Sequence, residues 1–287
     1  MSGRQKRVTV CIWGGLGNQL FSYAAARRLA IVNNAELRLD HLSGFRSDKF
    51  CRHYALHHFN ISQKLVTPGE AFVSYGRISR ALVRKLSRLL PFSWRPYLRE
   101  EQNDFDERLV NLKLRGNVYL EGYWQSEGYF QGVQQQIRED LKMISPISPD
   151  TVAMSRHIEQ AEAIGVHVRR LQIDHPLEPD YYFRAVEYMK ARIGRPHFFV
   201  FSDCPDWAEE NLRFDTPATF VTQEPGDDSG CMDLWLMSLC KHFIIANSTF
   251  SWWGAWLGIN PNKIVTSPFF LKNWGHVGLL PDNWVLL

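Results

Sequence analysis

A chain of 287 residues, 45% hydrophobic and 22% charged, is long enough for one large or two modest domains with real apolar cores, and its formal charge of +3 is too slight for nucleic-acid binding by average charge. Its five cysteines (Cys11, Cys51, Cys204, Cys231, Cys240) form no C-x-x-C pair, which argues against a disulfide framework or zinc site and fits reduced thiols in a cytoplasmic protein. No apolar stretch approaches membrane-spanning length.

Val8–Trp13 reads as a buried strand running into Gly14-Gly15-Leu16-Gly17-Asn18-Gln19. Leu20–Val32 follows with helical character, and Glu36–Asp40 is the next strand. This βαβ opening has a glycine-rich first turn, which brings backbone close to a ligand and aims helix amides at an anion, making Gly15, Gly17 and Asn18 candidate binding residues. An NAD site opens the same way, with Asp40 near the ribose position, but the G-G-x-G-N-Q spacing and the bulky Leu20 count against it.

The histidines His53, His57 and His58 read as structural or surface groups rather than metal ligands. Tyr75–Leu90 is a basic amphipathic helix with Ile78, Leu82, Leu86 and Leu89 along one side. Such a helix either packs its leucines on a core or rests on an anionic membrane through Arg77–Arg88. Asp104-Phe105-Asp106 has the D-x-D form of a metal-binding triplet, but its acidic surroundings read as a solvated loop, and no metal is expected. Val118–Gln125 is a strand entering an aromatic cluster, and Ile137–Met143 a helix. Ser145-Pro146-Ile147-Ser148-Pro149 is the clearest linker, which divides the chain into domains 1–148 and 149–287.

Beyond the linker, Thr151–Glu162 is helical and Ala163–Val168 a buried strand followed by Arg169-Arg170. A helix Asp180–Ile193, a strand His197–Ser202 stopping at Asp203, a helix Pro205–Leu212, a strand Phe220-Val221 and a helix Met232–Cys240 follow. Phe243–Ala246 is another buried strand, ended by Asn247-Ser248-Thr249-Phe250-Ser251 before a helix Trp252–Leu257. The class is α/β with two parallel-sheet domains. Three strand ends carry polar groups: His167, Arg169 and Arg170; Ser202 and Asp203; Asn247, Ser248, Thr249 and Ser251. In a doubly wound sheet these ends share one crevice. There the arginines can neutralise a diphosphate, the hydroxyls and helix amides can hold its oxygens, and Asp203 can accept from a base edge.

Five blocks, GGLGNQLF (14–21), GYWQSEGYF (122–130), HVRR (167–170), FSD (201–203) and LWLMSLCKHFIIANSTFSWWGAWL (234–257), together resemble the bacterial α-1,2-fucosyltransferases of glycosyltransferase family eleven. The resemblance implies a GT-B-like pair of Rossmann-type domains, acceptor side first and GDP-fucose side second. It further implies metal-independent, inverting transfer from GDP-β-L-fucose to the 2-hydroxyl of a galactose-terminated or lipid-linked glycan in O-antigen-type synthesis. Arg169 and Arg170 would bind the donor diphosphate, His167 and Asp203 would lie near the nucleotide, and Ser248–Ser251 would cradle phosphate. One departure stands out: where the family continues with Gly-Asp-Tyr, this chain has Leu171-Gln172-Ile173-Asp174-His175-Pro176, with Asp174 a displaced stand-in for the usual acid. Asp40, Glu127 and Asp174 are the candidate bases, each equally readable as a surface or capping acid. The altered loop also leaves open a GDP-sugar-binding protein without transfer.

Overall fold

Two parallel sheets account for the alternation of short apolar runs and helical segments. The computed structural model describes residues 5–61, 64–101, 105–222, 229–269 and 279–287. The first sheet holds β1 (Arg7–Cys11), β2 (Glu36–Asp40), β3 (Lys64–Leu65), β4 (Tyr97–Arg99) and β5 (Val118–Glu121) in the order β3-β2-β1-β5-β4. With it go the helices α1 (Leu16–Val32), α2 (Arg77–Ser87), α3 (Glu107–Val110) and α4 (Gln134–Asp140). The second sheet holds β6 (Glu162–Val168), β7 (Pro196–Ser202), β8 (Ala218–Phe220), β9 (His242–Ile244), β10 (Val265–Ser267) and β11 (Val285–Leu286), in the order β11-β10-β9-β6-β7-β8. Its helices are α5 (Pro149–Gln160), α6 (Pro179–Lys190), α7 (Pro205–Asn211), α8 (Ser229–Ser238) and α9 (Thr249–Leu257).

β6 and β7 are apolar on both faces because helices cover both sides of a parallel sheet. On one side Val166, Val168, Phe198 and Val200 pack with Tyr182, Met189 and Ile244. On the other, Gly165 lets α8 and the residues just after it lie close, since a Cβ there would come 3.4 Å from Met237 Cγ and 3.2 Å from Cys240 Sγ.

Strand β2 has the bounds expected of it, whereas helix starts move to their caps. α5 begins at Pro149, with Ser148 accepting from the Thr151 N–H, and α9 begins at Thr249, with Ser248 accepting from the Phe250 N–H. The helix expected over 137–143 is α4, shifted toward the N-terminus. The chain divides into two compact units. The first runs to Lys142 and takes back Leu279 and Leu280; the second begins at Met143, upstream of the Ser145–Pro149 segment.

Helix α2 contradicts the expectation that its leucine row packs on a core. Ser87 is buried and Arg84 binds Tyr97 and Glu121, so the polar side faces the body and the apolar side faces outward.

Candidate functional site

The order of the second sheet makes β6 and β9 neighbours. From β6 the chain winds outward through β7 and β8, then returns to β9 and winds the other way. Such a reversal opens a crevice at the carboxyl ends of the two strands. Arg169 and Arg170 leave β6 at that edge, and Asn247, Ser248 and Thr249 follow the β9 end on the same edge.

Asp203, after β7, organises the arginine pair. Its carboxylate accepts the backbone N–H of Arg170 at 2.8 Å and of Leu171 at 3.0 Å, and pairs with Arg169 Nη1 at 3.1 Å. Instead of reaching for a base edge, as the sequence reading has it, Asp203 is a clamp on the strand-end loop. Arg170 Nη1 donates to the Leu177 carbonyl at 2.8 Å, and its guanidinium lies 3.9 Å over the Trp207 ring. Those contacts fix the guanidinium plane while leaving most of its N–H groups undirected among the described residues. Ser202 serves the turn, its Oγ accepting from the Cys204 N–H at 3.0 Å.

His167 is buried and stacks on Phe250, ring centroids 5.0 Å apart. Burial, with Arg169 adding to it, pushes its pKa down to about 3, so the imidazole is neutral and contributes no charge to an anion. Among the described residues its Nδ1 has no hydrogen-bond partner. Its contact is with the first turn of α9, which it supports. Ser251 likewise departs from its expected place in the phosphate cradle: it is fully buried, and its hydroxyl donates to the carbonyls of Ala246 and Ser248. Ser248 caps α9 by accepting the Phe250 N–H, and Thr249 opens that helix's first turn at the edge. Asn247 Nδ2 donates to the His175 carbonyl at 2.8 Å, tying the exposed loop that carries Leu171 and Asp174 to the end of β9.

The helix behind these groups is held rigidly. Trp252, Trp253 and Trp256 are buried, Trp252 also packing on Trp284, and Gly254 admits Met237, whose Sδ would lie 2.7 Å from a Cβ there.

In the first unit, the glycine turn joins the loop after β5. Gly14 has φ +75°, and a Cβ on it would meet the Tyr123 hydroxyl at 2.9 Å. Gly15 caps α1 with open space beside it among the described residues, whereas Gly17 is buried in the helix's first turn, contrary to its expected role at a binding surface. Asn18 Oδ1 accepts from Gln125 Nε2 at 2.9 Å. Trp13 and Tyr123 stack at 4.3 Å beside a cavity of about 410 Å³ that Arg46, Arg52 and Arg80 also line.

Asp40 is fully buried and accepts from five donors: the N–H groups of Leu42, Ser43 and Phe72 and the hydroxyls of Ser43 and Tyr119. It is therefore neither a ribose ligand nor a base. Glu127 opens a 3-10 turn capped by Ser126. Two polar residues that sequence reasoning passed over hold the turn. Gln19 donates to the Gly14 and His53 carbonyls and accepts from the Ala55 N–H, and Glu100 accepts the N–H groups of Tyr123 and Trp124. An amide among the alanines and leucines of α1 was the available signal for Gln19; nothing local marked Glu100.

Asp106 caps α3 and pairs with Arg108 at 2.7 Å, and Asp104 lies outside the described residues. Among the described residues no three His, Cys, Asp or Glu side chains cluster as metal ligands, and no helix is long and apolar enough to cross a membrane.

The model of glycosyl transferase family 11 matches residues 7–273. An Escherichia coli alpha-1,2-colitosyltransferase is 30% identical over 95% of this chain and 96% of its own length. The E. coli O-antigen biosynthesis glycosyltransferase WbnK is 32% identical over 96% and 99%. Among solved structures, fucosyltransferase NodZ from Bradyrhizobium shares the fold with a TM-score of 0.56 at 17% identity, covering 88% of this chain and 92% of that one. A NodZ structure soaked with GDP-fucose gives 0.55 at 16% identity, over 88% and 93%. The two parallel-sheet units are thus a GT-B-like fold, and the chain belongs to glycosyl transferase family 11.

Proposed function

We propose that this glycosyltransferase moves L-fucose from GDP-β-L-fucose to the 2-hydroxyl of a galactoside in O-antigen-type polysaccharide synthesis, with inversion and without a metal. The observation that carries the reading is the convergence of Arg169, Arg170 and the capped N-terminus of α9 on the switch point between β6 and β9. As the glycosidic bond to fucose lengthens, negative charge gathers on the diphosphate. Two guanidinium groups and the positive end of a nine-residue helix then stabilise that charge more strongly than they stabilise the intact donor. The stacked Trp13 and Tyr123 offer a galactoside an apolar ring face in the first unit. With Asp40 saturated, we assign the incoming hydroxyl's proton to Asp174, exposed on the loop that Asn247 tethers.

A second reading has a specific support: the colitosyltransferase relative favours colitose, the 3-deoxy counterpart of fucose, as the transferred sugar. Incubating the chain with GDP-fucose or GDP-colitose and a β-galactoside, then measuring GDP release and product linkage, separates the two. Faster turnover of GDP-colitose replaces fucose as the donor sugar, and GDP binding without turnover of either leaves only a binding protein. A chain that ignores GDP in calorimetry sinks every version. Chelator leaves activity intact on this reading; a large loss would bring a metal into the mechanism.

A further inference from the structure

The outward apolar face of α2 calls for an occupant. Ile78, Leu82 and Leu86 repeat at helical spacing along one face, with Leu89 following in the turn after the helix, and the four are 76%, 50%, 56% and 77% exposed, while the opposite face carries the buried Ser87 and the inward-turned Arg84. This is the reverse of a helix packed on a soluble domain. Arg84 secures the orientation: it binds Glu121 Oε2 at 2.7 Å and the Tyr97 hydroxyl at 3.0 Å, and its guanidinium lies over the Phe72 and Tyr97 rings. The face is thus held outward by a polar anchor.

Charge selects the occupant. From Arg77 to Arg99 the chain has seven arginines and lysines and no acid. Lys85 and Arg88 are exposed beside the apolar row, and a groove of about 340 Å³ between α2 and β4 is lined by Arg84, Lys85, Arg88, Arg95 and Arg99, with Glu101 the acid on its wall. We propose that α2 docks this chain on an anionic lipid bilayer, its leucine row entering the headgroup boundary while the basic groove receives lipid phosphates. A second copy of the chain fits less well, because self-pairing along the row brings Lys85 and Arg88 of two copies together.

Co-sedimentation of the full chain with vesicles tests this, using phosphatidylcholine alone or mixed equally with phosphatidylglycerol. At low salt the chain partitions at least tenfold more strongly onto the anionic vesicles, and raising the salt releases it. The triple variant Leu82→Ser, Leu86→Ser, Leu89→Ser loses that binding at least tenfold while its melting temperature and GDP affinity stay those of the wild type, because the substituted side chains already face outward. Lys85→Gln with Arg88→Gln lowers the anionic preference and leaves folding intact. A wild-type chain that stays in the supernatant, equal partition onto neutral and anionic vesicles, or a triple variant that binds as before overturns the proposal. So does a wild-type dimer in sedimentation velocity that the triple variant abolishes, which would assign the face to a second copy. GDP calorimetry is independent of all these outcomes and reports only on the proposed donor site.

Discussion

The carboxyl edges of the two sheets use their polar groups in opposite ways. In the first unit, Asp40 and Gln19 are saturated by partners within the same unit, Asp40 holding the loop after β2 and the Phe72 segment, Gln19 the glycine turn. In the second, Asp203 is spent on the backbone and on Arg169, but the guanidinium of Arg170 is fixed by one carbonyl and one indole with N–H groups to spare among the described residues. The difference teaches where to look for chemistry: an acid with every lone pair engaged is architecture, whereas a cation held in place but underused is equipment for a ligand.

Arg170→Lys gives the largest effect. A point charge cannot reproduce the planar fork or the stack on Trp207, so kcat/KM with GDP-fucose falls roughly a hundredfold or more while the melting temperature holds. Wild-type-like steady-state kinetics would falsify the contrast at its functional end. Asp40→Asn does the reverse. It turns an amide NH2 toward the Phe72 N–H or the Leu42 and Ser43 N–H groups, costing about 2–3 kcal/mol in urea unfolding, with turnover per folded molecule kept. Loss of turnover in a fully folded Asp40→Asn enzyme would restore that acid to the chemistry.

Two glycines sharpen the contrast within the first unit. A Cβ at Gly44 would overlap the Ile12 carbonyl oxygen and Trp13 Cβ, whereas a Cβ at Gly15 meets nothing within 4 Å among the described residues. Gly44→Ala therefore destabilises by about 2 kcal/mol, and Gly15→Ala by about 1 kcal/mol or less. Equal melting points for the two variants would show that the segment around Gly44 relaxes freely.

One effect shows only as a pH slope. His167 is neutral in the folded chain, with a pKa near 3 against 6.5 when unfolded. Below pH 6.5 the unfolded chain binds a proton that the native state refuses, so native stability falls with pH across that window and is fully present above it. Between pH 6 and 4 the wild type should lose up to about 1.4 kcal/mol per pH unit more than His167→Gln. Parallel profiles in urea titrations at the two pH values would mean that this imidazole protonates in place.

Central strands were legible because a buried parallel strand is a continuous apolar run; β2 and β6 stand within a residue of where the pattern puts them. Edge strands such as β3 and β11 are two residues long and exist only through their neighbours, so no local pattern marks them. Arg169, Arg170 and Thr249 were readable as residues at strand ends, where chain order alone brings them to one edge. The inward turn of Ser251 was not, because it follows from α9 starting at Thr249 rather than Trp252, which rotates Ser251 beneath the cap. For α2, spacing showed that there is an apolar face but not which way it points; that depended on Glu121, distant in sequence, capturing Arg84.

The carboxylate after β7 also sets an entry requirement. Because Arg169 already has an internal anion at 3.1 Å, a visitor gains little by offering a single negative charge; it must outbid a resident of its own kind. On the proposed donor reading, chloride, carboxylates and other monoanions are therefore poor competitors, while a pyrophosphate, carrying charge on two linked phosphoryl groups, offers each arginine an oxygen. On that reading, discrimination among anions begins before any sugar or base is inspected.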